Sequence, residues 1–156
     1  MESLRLRKKT TATWLATLGG GLGLHRFYLH GLSDPVGWLF PIPTALGLWG
    51  VERVLTYGQD DLLSWMLLPL LGLSLTSSCL MAIVYTLTDT VDWNHQYNPD
   101  ATDDAHAGTT SWITVLGMVL ALMLGATAMM ASLAFGFQRY FEYQIEEARK
   151  ISQPSD

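Results

Sequence analysis

Two adjacent ionisable residues, His25 and Arg26, follow an apolar run and have the chemistry to carry protons or bind an ion. The preceding segment, Thr10–Leu24, holds 15 residues without a charge. A helix of that length covers roughly 22 Å, which is less than the ~30 Å hydrocarbon core of a bilayer. Ionisable side chains inside a membrane span are costly and mark functional sites. A histidine at this depth can transfer protons or bind a metal.

Both residues also have structural interpretations. If the chain turns near Gly31, Arg26 can form an ion pair with Asp34, which costs less than a lone charge in lipid. The remaining possibilities for Arg26 are snorkelling to headgroups and contact with a substrate or lipid headgroup. A hydrogen bond at the membrane edge is the simplest expectation for His25. His30 does not share a helix face with His25, so a two-histidine metal site is not expected.

The helices that must position His25 and Arg26 are indicated by long uncharged runs in the sequence. Residues 62–88 and 107–138 contain 27 and 32 residues without Asp, Glu, Lys or Arg, and such runs are typical of transmembrane helices. The sequence predicts an all-α integral membrane helical bundle with four transmembrane helices. These are Thr11–Leu29, Pro35–Val51 with a kink near Phe40–Pro43, Leu62–Leu87, and Ser111–Phe137.

The basic residues predict the orientation of these four helices. With four spans, eight of the nine basic residues fall on one side of the membrane, and Arg26 is the exception. Basic residues favour the cytoplasmic side, which predicts that both termini are cytoplasmic. The eight are Arg5, Arg7, Lys8, Lys9, Arg53, Arg139, Arg149 and Lys150.

The predicted spans divide the chain into four parts. Residues 1–10 form a basic cytoplasmic N-terminus that precedes an uncleaved first helix, and residues 11–54 form a helical hairpin. Residues 62–137 form a second hairpin, whose outer loop 89–110 is acidic. Residues 138–156 form a cytoplasmic tail, in which Phe141, Ile145 and Ala148 make an apolar stripe. This tail is either a fraying solvated helix or an amphipathic segment on lipid or a partner.

The first hairpin resembles the TM-two domain family, which is named for a pair of transmembrane helices joined by a short turn. The resemblance covers about residues 8–54 and depends on the run GGGLGLHRFYL, a short turn and an acidic residue, Glu52, that closes the second helix. It implies a small integral membrane protein and does not imply an enzymatic activity, and the His-Arg form of the motif resembles that of bacterial members. The motif residues are Gly19, Gly20, Gly21, Gly23, His25, Arg26, Phe27, Tyr28, Asp34 and Glu52. His30 stands where the family commonly has Gly.

Glycine faces and end charges predict how the helices pack. Gly19 and Gly23 form a G-x-x-x-G pair, which favours close packing either against the second span or against a partner helix. Glu52 is expected to meet Lys8 or Lys9 at the cytoplasmic end of the hairpin. A second small-residue face in the fourth span predicts core packing, with a partner contact as the alternative. Its residues are Gly117, Ala121 and Gly125.

The sequence shows no arrangement of catalytic, cofactor-binding or metal-ligating residues. The acidic loop with His95 and His106 matches no metal pattern, and a solvated loop is expected. We therefore expect a non-catalytic protein of the inner membrane that contacts lipids and packs against other membrane subunits or itself, without binding nucleic acid. A small transporter or ion-conducting homo-oligomer that uses His25 and Arg26 is the alternative, and a lipid-headgroup sensor is a weaker one.

Overall fold

The computed structural model describes residues 6–100 and 106–152, and every regular element in these ranges is helical. The all-α prediction is confirmed. Two segments, Leu62–Leu87 and His106–Ser152, are long and apolar enough to cross a membrane. The elements are α1 (Lys9–Gly19), a 3-10 turn (Gly20–Leu22), α2 (Leu24–His30), α3 (Pro35–Leu39), α4 (Pro41–Tyr57), α5 (Leu62–Leu87), α6 (Thr90–Tyr97), a 3-10 turn (His106–Gly108) and α7 (Trp112–Ser152).

Helix α5 is the centre of the bundle, and α1, α4 and α7 pack against it. Small residues permit close approach on both sides. A Cβ added at Gly47 of α4 would lie 2.4 Å from Leu71, and one at Gly125 of α7 would lie 2.8 Å from the Cβ of Cys79. Ala121 of α7 is fully buried. The face of Gly117, Ala121 and Gly125 therefore packs inside the chain, which is the core packing that the sequence predicted.

The predicted first span is not one helix, because the chain reverses direction within it. Helix α1 ends at Gly19, and Gly23 adopts a left-handed backbone with φ +72°. Helix α2 then returns alongside α1, so that the backbone nitrogen of Lys8 donates a 2.8 Å hydrogen bond to the Tyr28 hydroxyl. The tip of this α1–α2 hairpin is level with the middle of α5, because Gly20 lies against Ser78.

The two ends of the bundle are defined by contacts between distant segments. At the hairpin end, Lys9 at the start of α1 contacts Thr88, which follows α5, and Thr110, which precedes α7. At the tail end, Arg139 of α7 contacts Asp60, which precedes α5.

This arrangement corrects the prediction of four spans with both termini on one side. Lys9, at the start of α1, and Ser152, at the end of α7, lie toward opposite ends of the bundle. The physical reason is the reversal at Gly23, which returns the chain to the end from which it entered. The described basic residues are then evenly divided, and they favour neither orientation. Arg7, Lys8, Lys9 and Arg26 belong to the hairpin end, and Arg53, Arg139, Arg149 and Lys150 to the tail end.

The remaining helix boundaries follow local signals. Asp34 and Asp61 accept backbone hydrogen bonds from Val36 and Ser64 and so cap α3 and α5. Helix α5 has the bounds that the sequence predicted. The break expected near Phe40–Pro43 is present, because α3 ends at Leu39 and α4 begins at Pro41. The predicted fourth span continues into the tail as one helix to Ser152.

Candidate functional site

Glycines fix the tip of the α1–α2 hairpin against three other helices. A Cβ at Gly23 would lie 2.2 Å from the backbone oxygen of Gly37 in α3, and one at Gly20 would lie 2.2 Å from the Cβ of Ser78 in α5. The backbone oxygen of Gly21 accepts a 2.7 Å hydrogen bond from Thr44 in α4. These glycines pack within the chain, but Gly19 and Gly23 do not form the predicted G-x-x-x-G face, because α1 ends at Gly19 and the backbone of Gly23 is left-handed.

The ion pair predicted between Arg26 and Asp34 is present. The Nε of Arg26 donates to Oδ2 of Asp34 at 2.7 Å. The hydrogen bond from Arg26, together with the one from the backbone nitrogen of Val36, lowers the pKa of the Asp34 carboxyl below its ordinary value. His30 lies 4.0 Å from the same carboxylate oxygen. The pair joins α2 to the N-terminus of α3 and closes the turn between them.

His25, which precedes Arg26 in the chain, is fully buried. Its ring packs edge-on against Phe40, with ring centroids 5.1 Å apart, and lies 5.9 Å from the ring of Tyr85 in α5. Neither ring nitrogen has a hydrogen-bond partner among the described residues, and the hydroxyl of the buried Tyr85 has none either. The expectation of a hydrogen-bonded histidine at the membrane edge is therefore wrong, because the reversal of the chain carries His25 into an aromatic interior.

Helix α6 covers this cluster from the hairpin end. Trp93 is fully buried, and its ring packs against those of Tyr85 and Tyr97, with ring centroids 5.7 Å and 4.5 Å apart. The ring of His30 in turn packs against that of Tyr97, with ring centroids 5.9 Å apart. This part of the predicted acidic loop is therefore not a solvated loop, because its Trp93 packs against Tyr85 near the end of α5. Asp103 and Asp104 lie outside the described residues.

The segment before α1 is held under α6 by backbone contacts. The oxygen of Arg7 accepts hydrogen bonds from the side chains of Trp93 at 2.9 Å and Asn98 at 3.1 Å. The buried Lys9 donates from Nζ to the oxygen of Thr88 at 2.6 Å, at the C-terminal end of α5 where a cation is stabilised. The predicted contact of Glu52 with Lys8 or Lys9 is wrong, because α4 ends at the opposite end of the bundle.

The other motif residues support the hairpin. Phe27 packs against Trp38 with ring centroids 5.2 Å apart, and Gly37 leaves room for its ring. Tyr28 holds Lys8. Gly19 packs against Leu24 across the hairpin. Among the described residues, no group of three His, Cys, Asp or Glu side chains is placed to hold a metal ion.

The cluster leaves polar atoms without partners among the described residues. Arg26 carries five N–H donors, and Asp34 accepts a hydrogen bond from its Nε. The unpartnered hydroxyl of Tyr85 can donate and accept, and the two ring nitrogens of a neutral His25 are one donor and one acceptor. His25, Arg26 and Asp34 were predicted from the sequence, whereas Tyr85, Trp93 and Tyr97 were not. Their aromatic clustering near the end of α5 and in the acidic loop was the one signal available for them.

The chain matches no protein-family model, no curated protein and no solved structure.

Proposed function

We propose that this chain is a non-catalytic, multi-pass membrane protein that acts as an accessory or assembly subunit and contacts another membrane protein through α7. The contact surface is a heptad-spaced set of residues on α7, which we name the α7 seam. All of its members are exposed except Leu120, which is partly buried. The seam comprises Ile113, Leu116, Leu120, Met123, Thr127, Met130, Ala134, Phe137, Phe141, Gln144, Ala148 and Ile151.

The observation that carries this proposal is the continuity of α7 beyond the rest of the bundle. Helix α7 has 41 residues and α5 has 26, which correspond to lengths of roughly 61 Å and 39 Å. Arg139 is level with Asp60 at the start of α5. The helix therefore extends roughly 20 Å beyond that level. An unbroken helix that crosses the bilayer cannot also turn to lie flat on its surface.

The tail part of the seam is consequently exposed to water in an isolated chain. Phe141 is 59% exposed and Ile151 is 77% exposed. The charged residues of the tail lie off the seam, at Arg139, Glu142, Glu146, Glu147, Arg149 and Lys150. Exposed apolar surface bordered by polar residues is typical of protein interaction sites, and heptad spacing is typical of contact between helices. A helix of a partner subunit is the occupant that fits both properties.

Purification of the full chain from its own membranes in mild detergent tests this proposal. We expect a second membrane protein to co-migrate in a fixed ratio. Phe141→Ser should abolish this co-migration, because it replaces an apolar side chain of the seam with a polar one. Tyr143→Ser is the matched control, since Tyr143 is a similarly exposed aromatic residue that lies off the seam. Equal effects of the two substitutions would contradict a contact through the seam.

A small ion-conducting homo-oligomer is the second candidate, and the burial of His25 beside Arg26 favours it. In that case the purified chain would form a pure homo-oligomer that conducts ions in liposomes, and His25→Leu would abolish conduction. Absence of conduction together with a co-migrating subunit supports the accessory role instead. The two helices that are long and apolar enough to cross a membrane support the membrane location. The choice of a bacterial inner membrane is proposed on the resemblance of residues 8–54 to the TM-two domain family.

A further inference from the structure

A groove lies at the tail end of the bundle, between the start of α5 and the part of α7 that extends beyond it. Its volume is about 410 Å³, which is within the range of pockets that hold small ligands. Arg139 is fixed in its wall, because its side chain is 12% exposed and contacts both Asp60 and Glu142. Apolar, aromatic and further charged side chains complete the lining, among them Leu62, Trp65, Tyr143, Glu146 and Arg149.

Two opposite charges of this groove have no partner among the described residues. Glu146 and Arg149 are exposed, and neither side chain forms an ion pair or a hydrogen bond with another described residue. Residues three positions apart on a helix have their Cβ atoms roughly 5–6 Å from each other. The groove therefore presents a carboxylate and a guanidinium side by side without neutralising either of them.

An exposed apolar stripe continues from the groove along α5, one of the two helices long and apolar enough to cross a membrane. Its residues are between 57% and 70% exposed and share one face of the helix, and they are Leu62, Met66, Leu73, Leu80 and Leu87. Leu62 belongs to both the stripe and the groove, and Trp65 beside it is a residue typical of the membrane–water interface. A lipid whose acyl chain lies along the stripe would thus have its headgroup in the groove.

From these charges and their position we propose that the groove binds the headgroup of a phospholipid that carries a primary ammonium, a phosphatidylethanolamine. The ammonium and the phosphate of this headgroup match the charges of Glu146 and Arg149. An ammonium has three N–H donors, and the carboxylate of Asp60 lines the same groove as a further acceptor. Trp65 and Tyr143 add aromatic rings, which attract cations. A guanidinium in turn binds phosphate oxygens through paired N–H donors.

The lining of the groove favours this headgroup over two other kinds. A choline headgroup carries the same charges but has no N–H to donate to a carboxylate. An anionic headgroup lacks the ammonium altogether. The described lining includes three carboxylates and two guanidiniums, and this excess of negative charge favours a ligand that has a cationic group.

Native mass spectrometry of the purified, delipidated full chain tests this proposal. Short-chain phosphatidylethanolamine, phosphatidylcholine and phosphatidylglycerol are each added alone in the same detergent. We expect the first phosphatidylethanolamine to bind about fivefold more tightly than the first phosphatidylcholine, which is the magnitude of an exposed charge pair. Phosphatidylglycerol should bind more weakly than phosphatidylethanolamine.

Glu146→Gln and Arg149→Gln separate the two halves of the headgroup. Glu146→Gln should remove the preference for phosphatidylethanolamine over phosphatidylcholine, because the ammonium loses its carboxylate. Arg149→Gln should weaken both lipids by about fivefold and keep the preference, because both carry the same phosphate. Glu147→Gln and Lys150→Gln are the matched controls, since these neighbouring charges are exposed and do not line the groove. Both controls should bind lipid as the wild type does.

Equal binding of phosphatidylethanolamine and phosphatidylcholine to the wild type overturns the proposal, as does tighter binding of phosphatidylglycerol. Soluble glycerophosphoethanolamine has the same headgroup without acyl chains, and binding as tight as that of the lipid would also overturn it. The four substituted side chains are exposed, so every variant should keep the wild-type melting temperature in lipid-free detergent. Failure of this proposal leaves the partner contact unaffected, because the α7 seam and the groove share no residue.

Discussion

The backbone nitrogen of Lys8 donates a 2.8 Å hydrogen bond to the hydroxyl of Tyr28, a residue 20 positions later in the chain. In one continuous helix these residues would lie roughly 30 Å apart along the axis. Their contact shows that α1 and α2 form a hairpin that enters and leaves at the same end of the bundle. The positions of His25 and Arg26 and the separation of the two chain ends follow from this reversal.

The hairpin predicts that the two ends of the chain face opposite sides of the membrane. We expect cysteines introduced as Leu6→Cys and Ser152→Cys to react with an impermeant maleimide from opposite sides of sealed vesicles. The single native cysteine, Cys79, is buried and is replaced by Ala for this measurement. Labelling of both positions from the same side would restore the four-span topology and contradict the reversal at Gly23.

Gly23→Ala is expected to destabilise the protein by about 2–5 kcal/mol. About 1–2 kcal/mol comes from the left-handed backbone at φ +72°. The rest comes from overpacking, since the new Cβ would lie 2.2 Å from the oxygen of Gly37. Denaturation in detergent, followed by intrinsic fluorescence, measures the loss. Gly136→Ala is the control, because this helical glycine has no atom within 4 Å of an added Cβ, and it should be neutral or stabilising by up to about 1 kcal/mol.

Arg26 and Asp34 are expected to behave as one unit in stability measurements. Arg26→Ala and Asp34→Ala should each lower the melting temperature, because each leaves the other member of the pair without its partner. The double variant should melt no lower than the worse single variant, since it leaves neither charge unpaired. Additive losses in the thermodynamic cycle would show that the ion pair contributes nothing to the closure of the turn.

Stability at the tail end is expected to fall in acid. Hydrogen bonds from Arg53 and Ser64 hold the pKa of the Asp61 carboxyl below its ordinary value. A carboxyl with a lowered folded-state pKa contributes stability above its unfolded pKa of about 3.9 and loses it as the pH falls toward the folded value. Melting temperatures of the wild type should therefore decline below about pH 4.

Asp61→Asn provides the variant for this pH dependence, and Asp60→Asn provides its control. The first should be less stable than the wild type at pH 7 and should approach it in acid, because the Asp61 carboxylate of the wild type is then protonated and no longer charged. The side chain of Asp60 is fully exposed, so its removal should leave the pH profile unchanged. Parallel profiles for the wild type and Asp61→Asn would refute the role of this ion pair.

The helix types and several boundaries were predictable from the sequence, because local signals determine them. The uncharged run and its Asp61 cap define α5, and the prolines near Phe40 divide α3 from α4. The Arg26–Asp34 pair was also predictable, since the turn at Gly31 brings together residues only eight positions apart. These features depend on short sequence separations, for which helical geometry and turn residues are sufficient.

Long-range packing determined what the sequence could not. The glycines of the first hairpin are equally compatible with a straight span and with a reversal, and the choice depends on Gly37, Thr44 and Ser78, which come from three other helices. The sequence by itself determined an apolar helical protein with ionisable side chains at His25 and Arg26. The tertiary structure decided that His25 lies beside Tyr85 and beneath α6, because contacts of the hairpin tip with Gly37, Thr44 and Ser78 turn the chain back on itself at Gly23.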